Sequence, residues 1–328
     1  MEISVIVPLF NAEKYIEECL NSLLAQTIIG HTEVIVVDDH GEDCSVEIVK
    51  RIISEHQYGK HIKLISTTQN SGAWAARNLG LELARGQYIG FCDADDWVEP
   101  NMYENLYREA EKTEADWAYC LGQKDYQDTD EESEVLEQEV DESCVMKDEV
   151  KRRMFVNGVS YFWTAIYSKR FLKTNHIRFP EGKFAEDSYF WWMAVMYSRR
   201  LGVVNSVGYH YRIQPNSVSQ RPDETKAEIK QMIYSKLIKY FKGKGLYRLY
   251  QSELDWLYLR KGYMIPLEIE AIGKEKPDFK RIWKQRSEDE VSLNNIYLIR
   301  NIATLVRMCA FRLFPSLMVR LLKKENEK

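Results

Sequence analysis

Two hydrophobic rhythms alternate over the first hundred residues. Short, unbroken apolar runs read as buried strands: ISVIVP (3–8), EVIVVDD (33–39), HIKLIST (61–67) and QYIGFCD (87–93). Between them lie amphipathic segments with helical spacing. EKYIEECLNSLLAQ (13–26) places Ile16, Cys19, Leu20, Leu23 and Leu24 on one face, and SVEIVKRIISEH (45–56) and AWAARNLGLELA (73–84) predict two further helices. Continuous apolar strands that alternate with such helices predict an α/β fold, a mostly parallel sheet covered on both faces. Ligands of these sheets bind beyond the carboxyl ends of the strands. Pro8, Asp38, Asp39, Asp93 and Asp95 all fall at such ends.

The rhythm then changes. Residues 101–120 predict a helix followed by the strand ADWAYC, and the acidic stretch 125–143 reads as an exposed loop or mobile insertion. From 144 to 220 the chain is aromatic-rich and irregular, and beyond 224 it is helical. The tail LNNIYLIRNIATLVRMCAFRLFPSLMVRLLKK places Arg300, Thr304 and Arg307 on one helical stripe within a wide apolar arc. Packing on the main domain is the favoured reading. The alternative is a peripheral helix on an anionic bilayer, with Arg312, Arg320, Lys323 and Lys324 near headgroups.

With 45 Lys and Arg against 50 Asp and Glu, the net charge of −5 argues against a dedicated nucleic-acid binder. The six cysteines are scattered without a CxxC pair, which points to a reducing, cytoplasmic setting rather than a disulfide framework or structural zinc. The start MEISVIVPLF lacks the positive charge of a signal peptide, and no apolar run reaches the length of a membrane span.

What the sheet binds is narrowed by what its loops lack. The turn after the first strand, PLFNAEK, has none of the glycines of a dinucleotide fingerprint, and no GxxxxGK[ST] occurs. GFCDADDWVEP (90–100) instead offers Asp93, Asp95 and Asp96. Taken alone, an Asp-rich turn is most simply a solvated turn. At the mouth of a sheet with carboxylates at a second strand end, it becomes a candidate cation site. Carboxylates hold a diphosphate through a metal, and hard oxygen ligands suit Mg²⁺ or Mn²⁺.

SVIVPLFNAEKYIEECLNSLLAQT, EVIVVDDH, NSGAWAARNLGLELARGQYIGFCDADDWVEP and, later, FPEGKFAEDSYFW occur in that order. This succession closely resembles a family 2 glycosyltransferase of the GT-A fold, of the kind that builds bacterial surface polysaccharides. The match is dense over 3–100, looser over 160–220 and absent from the C-terminal hundred residues. The implied organisation is a GT-A domain at 1–220 and a helical region at 221–328. The GT-A domain would comprise a nucleotide-sugar half (1–100) and an acceptor half (101–220) with the acidic insertion 125–143.

The resemblance implies roles position by position. Pro8 and the loop through Asn11 line the nucleoside pocket, and Asp39 accepts from uracil N3, favouring UDP, while Asp38 buttresses its loop. Arg77 meets base or diphosphate, although an ion-paired arginine is its default reading. Asp93 touches ribose and metal, Asp95 is the main metal carboxylate and Asp96 supports the turn. Asp187 is the general base of an inverting displacement, with Glu186 orienting it or the acceptor, although Asp187 is also placed to cap the helix it opens. In GYHYRIQPNSVSQ, the residues His210, Arg212, Ser217 and Ser219 approach the diphosphate, His210 as a further metal ligand. Trp163, Trp191 and Trp192 are read as core, with at most one, Trp163, touching an acceptor sugar.

The chain departs from the family in two places. DDHGED stands where a Gly-Ser-Thr turn is common, and Ala165 stands where a lysine often follows the tryptophan. Gly72 and Gly80 are read as serving turn geometry and close packing, and Gly86 as a helix cap. The expected function is metal-dependent, inverting transfer from a UDP-sugar to a hydroxyl of a glycan or lipid-linked acceptor. The alternatives are a catalytically silent nucleotide- or glycan-binding module and, behind it, a sugar nucleotidyltransferase. A glycosidase has no use for Asp39 or the metal pair.

Overall fold

The computed structural model describes residues 1–127, 131–136, 138–158, 160–182, 185–213, 225–274 and 277–326. The chain divides into two compact units. Met1–Val150, Ser160–Lys183 and Phe190–Ser217 make up the first, and Lys151–Val159, Phe184–Tyr189 and Val218–Lys328 the second. A single boundary at residue 220 therefore does not separate them, because 151–159 and 184–189 belong with the helical unit.

The first unit is built on β1 (Ile3–Leu9), β2 (Thr32–Asp38), β3 (Ile62–Ser66), β4 (Tyr88–Phe91), β5 (Trp97–Val98), β6 (Trp117–Tyr126), β7 (Glu134–Val135), β8 (Cys144–Val145), β9 (Ala165–Ser168) and β10 (Arg200–Ile213). Their order is β3-β2-β1-β4-β9-β6-β10-β5, with β7 on β6 and β8 on β10. The first four strands are parallel, as their unbroken apolar runs predict, and are linked by α1 (Ile16–Leu24), α2 (Ser45–Glu55) and α3 (Ala73–Leu83). In α1 the buried residues are the five expected from the spacing. β9 is antiparallel to both β4 and β6, and β10 runs parallel to β6 with two register shifts between Val204 and Tyr209.

Two glycines set how closely α3 and the following turn approach β1. A Cβ on Gly80 would lie 2.5 Å from the Ile6 side chain, so this glycine serves helix–sheet packing. Gly86 is not a helix cap, because α3 ends at Leu83. A Cβ there would meet the Ser4 backbone nitrogen at 2.5 Å. Its own N–H donates to Ser4 Oγ at 2.8 Å, and Ser4 Oγ donates to the buried Glu33. Gly72 has φ +96, as its turn requires.

The acidic stretch is partly anchored rather than uniformly exposed. Leu136 and Val140 are buried, Leu136 N–H donates to the Gly122 carbonyl, and Tyr119 Oη donates to the Val140 carbonyl at 2.7 Å. Apolar residues at these two places in a charged run are what tie it down.

The second unit is helical. It includes Lys226–Gly243, and Gln251–Leu257 continues through a π-helical stretch, Tyr258–Met264, into Ile265–Gly273. The tail is three helices, Ile296–Arg300, Ile302–Leu313 and Pro315–Asn326, where a single stripe was expected. Asn301 Oδ1 caps the second helix by accepting from Thr304 N–H at 3.0 Å, and Pro315 opens the third. Replacing Gly86 with Ala should destabilise the protein by about 1–3 kcal/mol or more, since the added methyl meets fixed backbone. Urea unfolding measures this, and an unchanged midpoint would contradict the close approach.

Candidate active site

The chain turns immediately after β4, with Asp96 N–H donating to the Asp93 carbonyl at 3.1 Å. Three carboxylates crowd this turn. Burial and the Asp93 charge push the Asp95 carboxyl up to about 6. Burial, with Asp95 and Asp93 beside it, raises Asp96 well above the usual carboxylate range.

Two buried arginines offset the crowding. Arg77, on α3, donates to Asp93 Oδ1 at 2.7 Å, and its guanidinium lies 4.8 Å from the Phe162 ring and 5.4 Å from Phe179. Arg212, on β10, donates through Nε to the Asp95 carbonyl at 2.8 Å and through its backbone N–H to Asp96 Oδ1 at 2.9 Å. Its remaining reach goes to Glu18 at 2.5 Å. Tyr209 Oη accepts from Asp93 N–H at 3.0 Å and donates to Asp96 Oδ2 at 2.7 Å.

β10 reaches the turn because it pairs antiparallel with β5, setting Tyr209 opposite Val98 and His210 opposite Trp97. The Trp97 and His210 rings stack at 5.0 Å, and the Arg212 guanidinium lies 4.4 Å from the Trp97 ring. His210 is held from both sides, Nδ1 at 2.8 Å from Asp125 and Nε2 at 2.9 Å from Glu99. Burial works against the Asp125 charge, yet hydrogen bonds from Ser133, Gln123 and His210 hold its carboxyl below the usual range.

At the end of β2, Asp39 is buried. Its carboxylate accepts from Thr67 Oγ1 at 2.9 Å, Ser71 N–H at 3.0 Å and Gly72 N–H at 2.6 Å, fixing the segment that leads into α3. Asp38 accepts from His40 N–H at 3.0 Å and Ser66 Oγ at 3.2 Å. Beside them Pro8 is half-buried and Asn11 exposed. Asn11 has φ 47, and its Oδ1 accepts from Glu42 N–H at 2.8 Å. A Cβ on Gly41 would sit 2.9 Å from Asn11, so the DDHGED loop is fitted to this residue. A separate cavity of about 520 Å³, lined by Arg85, Tyr88, Lys169 and Lys173 among others, lies at the opposite end of β4.

In the second unit, Asp187 stands in the first turn of the helix Glu186–Tyr197, after Ala185 at φ 64. Its Oδ1 accepts from the adjacent Ser188 N–H at 2.7 Å, while Oδ2 accepts nothing from the described residues. Glu186 is buried. Lys230 and Lys261 lie within electrostatic reach of Asp187. Burial lowers Lys230, and burial together with Arg260 and Lys230 lowers Lys261 to about 8, Asp187 partly opposing both shifts. Neither lysine carried a recognisable sequence signal, because both sit in ordinary-looking amphipathic helices.

The sequence profile of Glycosyl transferase family 2 matches residues 4–178. The chain belongs to that family. It is 30% identical over 262 residues to the putative glycosyltransferase EpsH of Bacillus subtilis (strain 168), covering 77% of this chain and 73% of the relative. It superposes on residues 1–349 of TarS of S. aureus, solved with UDP-GlcNAc, with a TM-score of 0.71 at 21% identity, over 100% of this chain and 92% of that one. The mannosyltransferase PcManGT of Pyrobaculum calidifontis, solved with GDP-Man and Mn²⁺, superposes with a TM-score of 0.53 at 16% identity, over 96% of this chain and 87% of that one. The fold is thus GT-A.

Within this family 2 glycosyltransferase, the structure gathers Arg77, Asp93, Asp95 and Arg212 at one strand end. His210 does not join the aspartates as a metal ligand, since carboxylates occupy both of its nitrogens. Trp163 is only 7% exposed, packed at 4.2 Å from Tyr209 and 5.6 Å from Tyr211, which makes it core rather than an open sugar platform. Trp191 and Trp192 are buried, as expected, and Ser217 and Ser219 lie outside the described residues. Asp93 and Asp95 supply hard oxygen ligands, and the raised Asp95 marks a charge that a cation would relieve. Among the described residues no group of three or more His, Cys, Asp or Glu is placed to hold a metal ion.

Arg77→Met should cost about 2–4 kcal/mol by leaving Asp93 uncompensated, and Asp93→Asn should recover part of that loss in the double variant. Urea unfolding of the cycle measures the coupling. Strict additivity would contradict the pairing.

Proposed function

We propose that this enzyme transfers a sugar from a UDP-sugar to a hydroxyl of a glycan or lipid-linked acceptor, with inversion, in bacterial surface polysaccharide synthesis. The observation that carries the reading is the Asp93–Asp95 turn held between Arg77 and Arg212 at the carboxyl end of the central strand. The likeness to TarS, solved with UDP-GlcNAc and with UDP, favours uridine in the donor. Asp39 contributes to base recognition chiefly by holding the 67–72 segment, with the contact to uracil N3 added to the bonds it already accepts.

Asp93 and Asp95 would hold Mn²⁺ or Mg²⁺. When bound, the ion neutralises the charge that grows on the departing diphosphate. A proton competes for the same carboxylate, so donor binding should weaken as pH falls through about 6, where Asp95 protonates. Arg212 fixes the Asp95 turn through its carbonyl, and Arg77 orients Asp93.

Asp187 removes the proton from the acceptor hydroxyl through Oδ2, its Oδ1 being anchored by the helix. Lys230 and Lys261 add positive charge beside it, suited to an acceptor that carries phosphate. The six free cysteines are consistent with a cytoplasmic enzyme.

The test is Asp187→Asn. Turnover of UDP-sugar should fall at least about a hundredfold while UDP affinity is kept. Near-normal turnover would remove Asp187 from the chemistry. Tight UDP binding by the unaltered chain, without turnover on any hydroxyl acceptor, would favour the silent module.

A further inference from the structure

We propose that the outward faces of the last two helices form a docking surface for an anionic lipid bilayer. Helix Ile302–Leu313 is apolar on opposite sides. Met308 and Phe311 point inward and are buried, with Phe311 set edge-on to Phe279 at 5.6 Å. Ile302, Val306 and Leu313 point outward at i, i+4 and i+11, with Ile302 70% and Leu313 68% exposed. The stripe continues through Phe314, 60% exposed, to Leu317 and Leu321 on helix Pro315–Asn326, whose Met318 and Leu322 are buried on its other side.

Of the 17 large apolar side chains that are exposed among the described residues, nine lie between Leu293 and Leu321. Single exposed leucines need no explanation, but this concentration does. The packing reading of the tail is met on one face of each helix, while the other face has no cover among the described residues.

Charge selects the occupant. From Leu293 to Asn326 the chain carries Arg300, Arg307, Arg312, Arg320, Lys323 and Lys324 against the single acid Glu325, in a protein whose net charge is −5. Three of these cations are engaged locally. Arg307 pairs with Glu268 at 3.2 Å, Arg312 lies 4.6 Å from the Trp283 ring, and Lys323 donates to the Lys274 carbonyl. Arg300, Arg320 and Lys324 are exposed and pair with none of the described residues. Arg320 and Lys324 follow Leu317 and Leu321 by three residues, so they flank the stripe.

An apolar stripe flanked by unpaired cations matches the boundary between acyl chains and anionic headgroups. A second copy docked through the same face would set these cations against each other. Among the described residues no helix is long and apolar enough to cross a membrane, so the contact is one that lies on the surface. This inference does not depend on the donor-site reading.

The test is flotation of the full chain with vesicles of phosphatidylcholine alone or mixed with phosphatidylglycerol. Binding to the mixed vesicles, weakened by salt, is expected. Leu313→Ser/Leu317→Ser and, separately, Arg320→Glu/Lys324→Glu should each lower it about tenfold or more without altering thermal unfolding, because all four residues are exposed. Equal partition onto neutral and anionic vesicles, or no binding by folded protein, would overturn the proposal. So would a dimer in sedimentation that Leu313→Ser/Leu317→Ser dissolves, since a second copy would then own the face.

Discussion

Carboxylates as close as Asp93, Asp95 and Asp96 cannot share a half-buried strand end unless positive charge and hydrogen-bond donors come to them. The protein answers with Arg77, Arg212 and Tyr209, none of them a neighbour in sequence. Much of the first unit follows from that need. Helix α3 must approach β1 closely to aim Arg77, which Gly80 and Gly86 permit, and a cluster of Phe162, Phe179 and other rings holds the guanidinium in place. β10 must return along β6, shift register and pair with β5 so that Tyr209 and Arg212 arrive together.

The offset is incomplete. Asp95 still has its pKa raised to about 6 despite both arginines, and Asp96 too is raised well above the usual carboxylate range. Asp96 is consumed by Tyr209 and the Arg212 backbone, so it supports the turn, whereas Asp93 is paired with Arg77 and the Asp95 carbonyl accepts from Arg212 Nε. On the function proposed above, a nucleotide-sugar donor would meet these carboxylates through a divalent metal. The arginines are themselves held in place, Arg77 by the Phe162 and Phe179 rings and Arg212 by Glu18 and Trp97.

The first four strands and three helices were legible because their apolar periods are unbroken and local. The convergence of Asp39 with the Asp93 turn was legible too, since parallel strands place their carboxyl ends together. Partnerships across the sheet were not. Nothing in YHYR says that His210 will be clamped by Asp125 and Glu99 rather than turned toward the aspartates, because β10's register depends on its bulges. Asp125 was hidden at the head of an acidic run whose Leu136 and Val140 alone betrayed an anchored segment. In the tail, Asn301 and Pro315 were visible as helix punctuation, but the wide apolar arc outweighed them.

The central claim is that the Asp93–Asp95 turn receives a uridine diphosphate through a metal. The most direct measurement is calorimetric titration of UDP, with GDP as control, in Mn²⁺ and again in excess chelator. The account predicts binding of UDP in preference to GDP that disappears with the chelator and in Asp95→Asn. Binding that survives the chelator, or no binding of either nucleotide to folded protein, would contradict it.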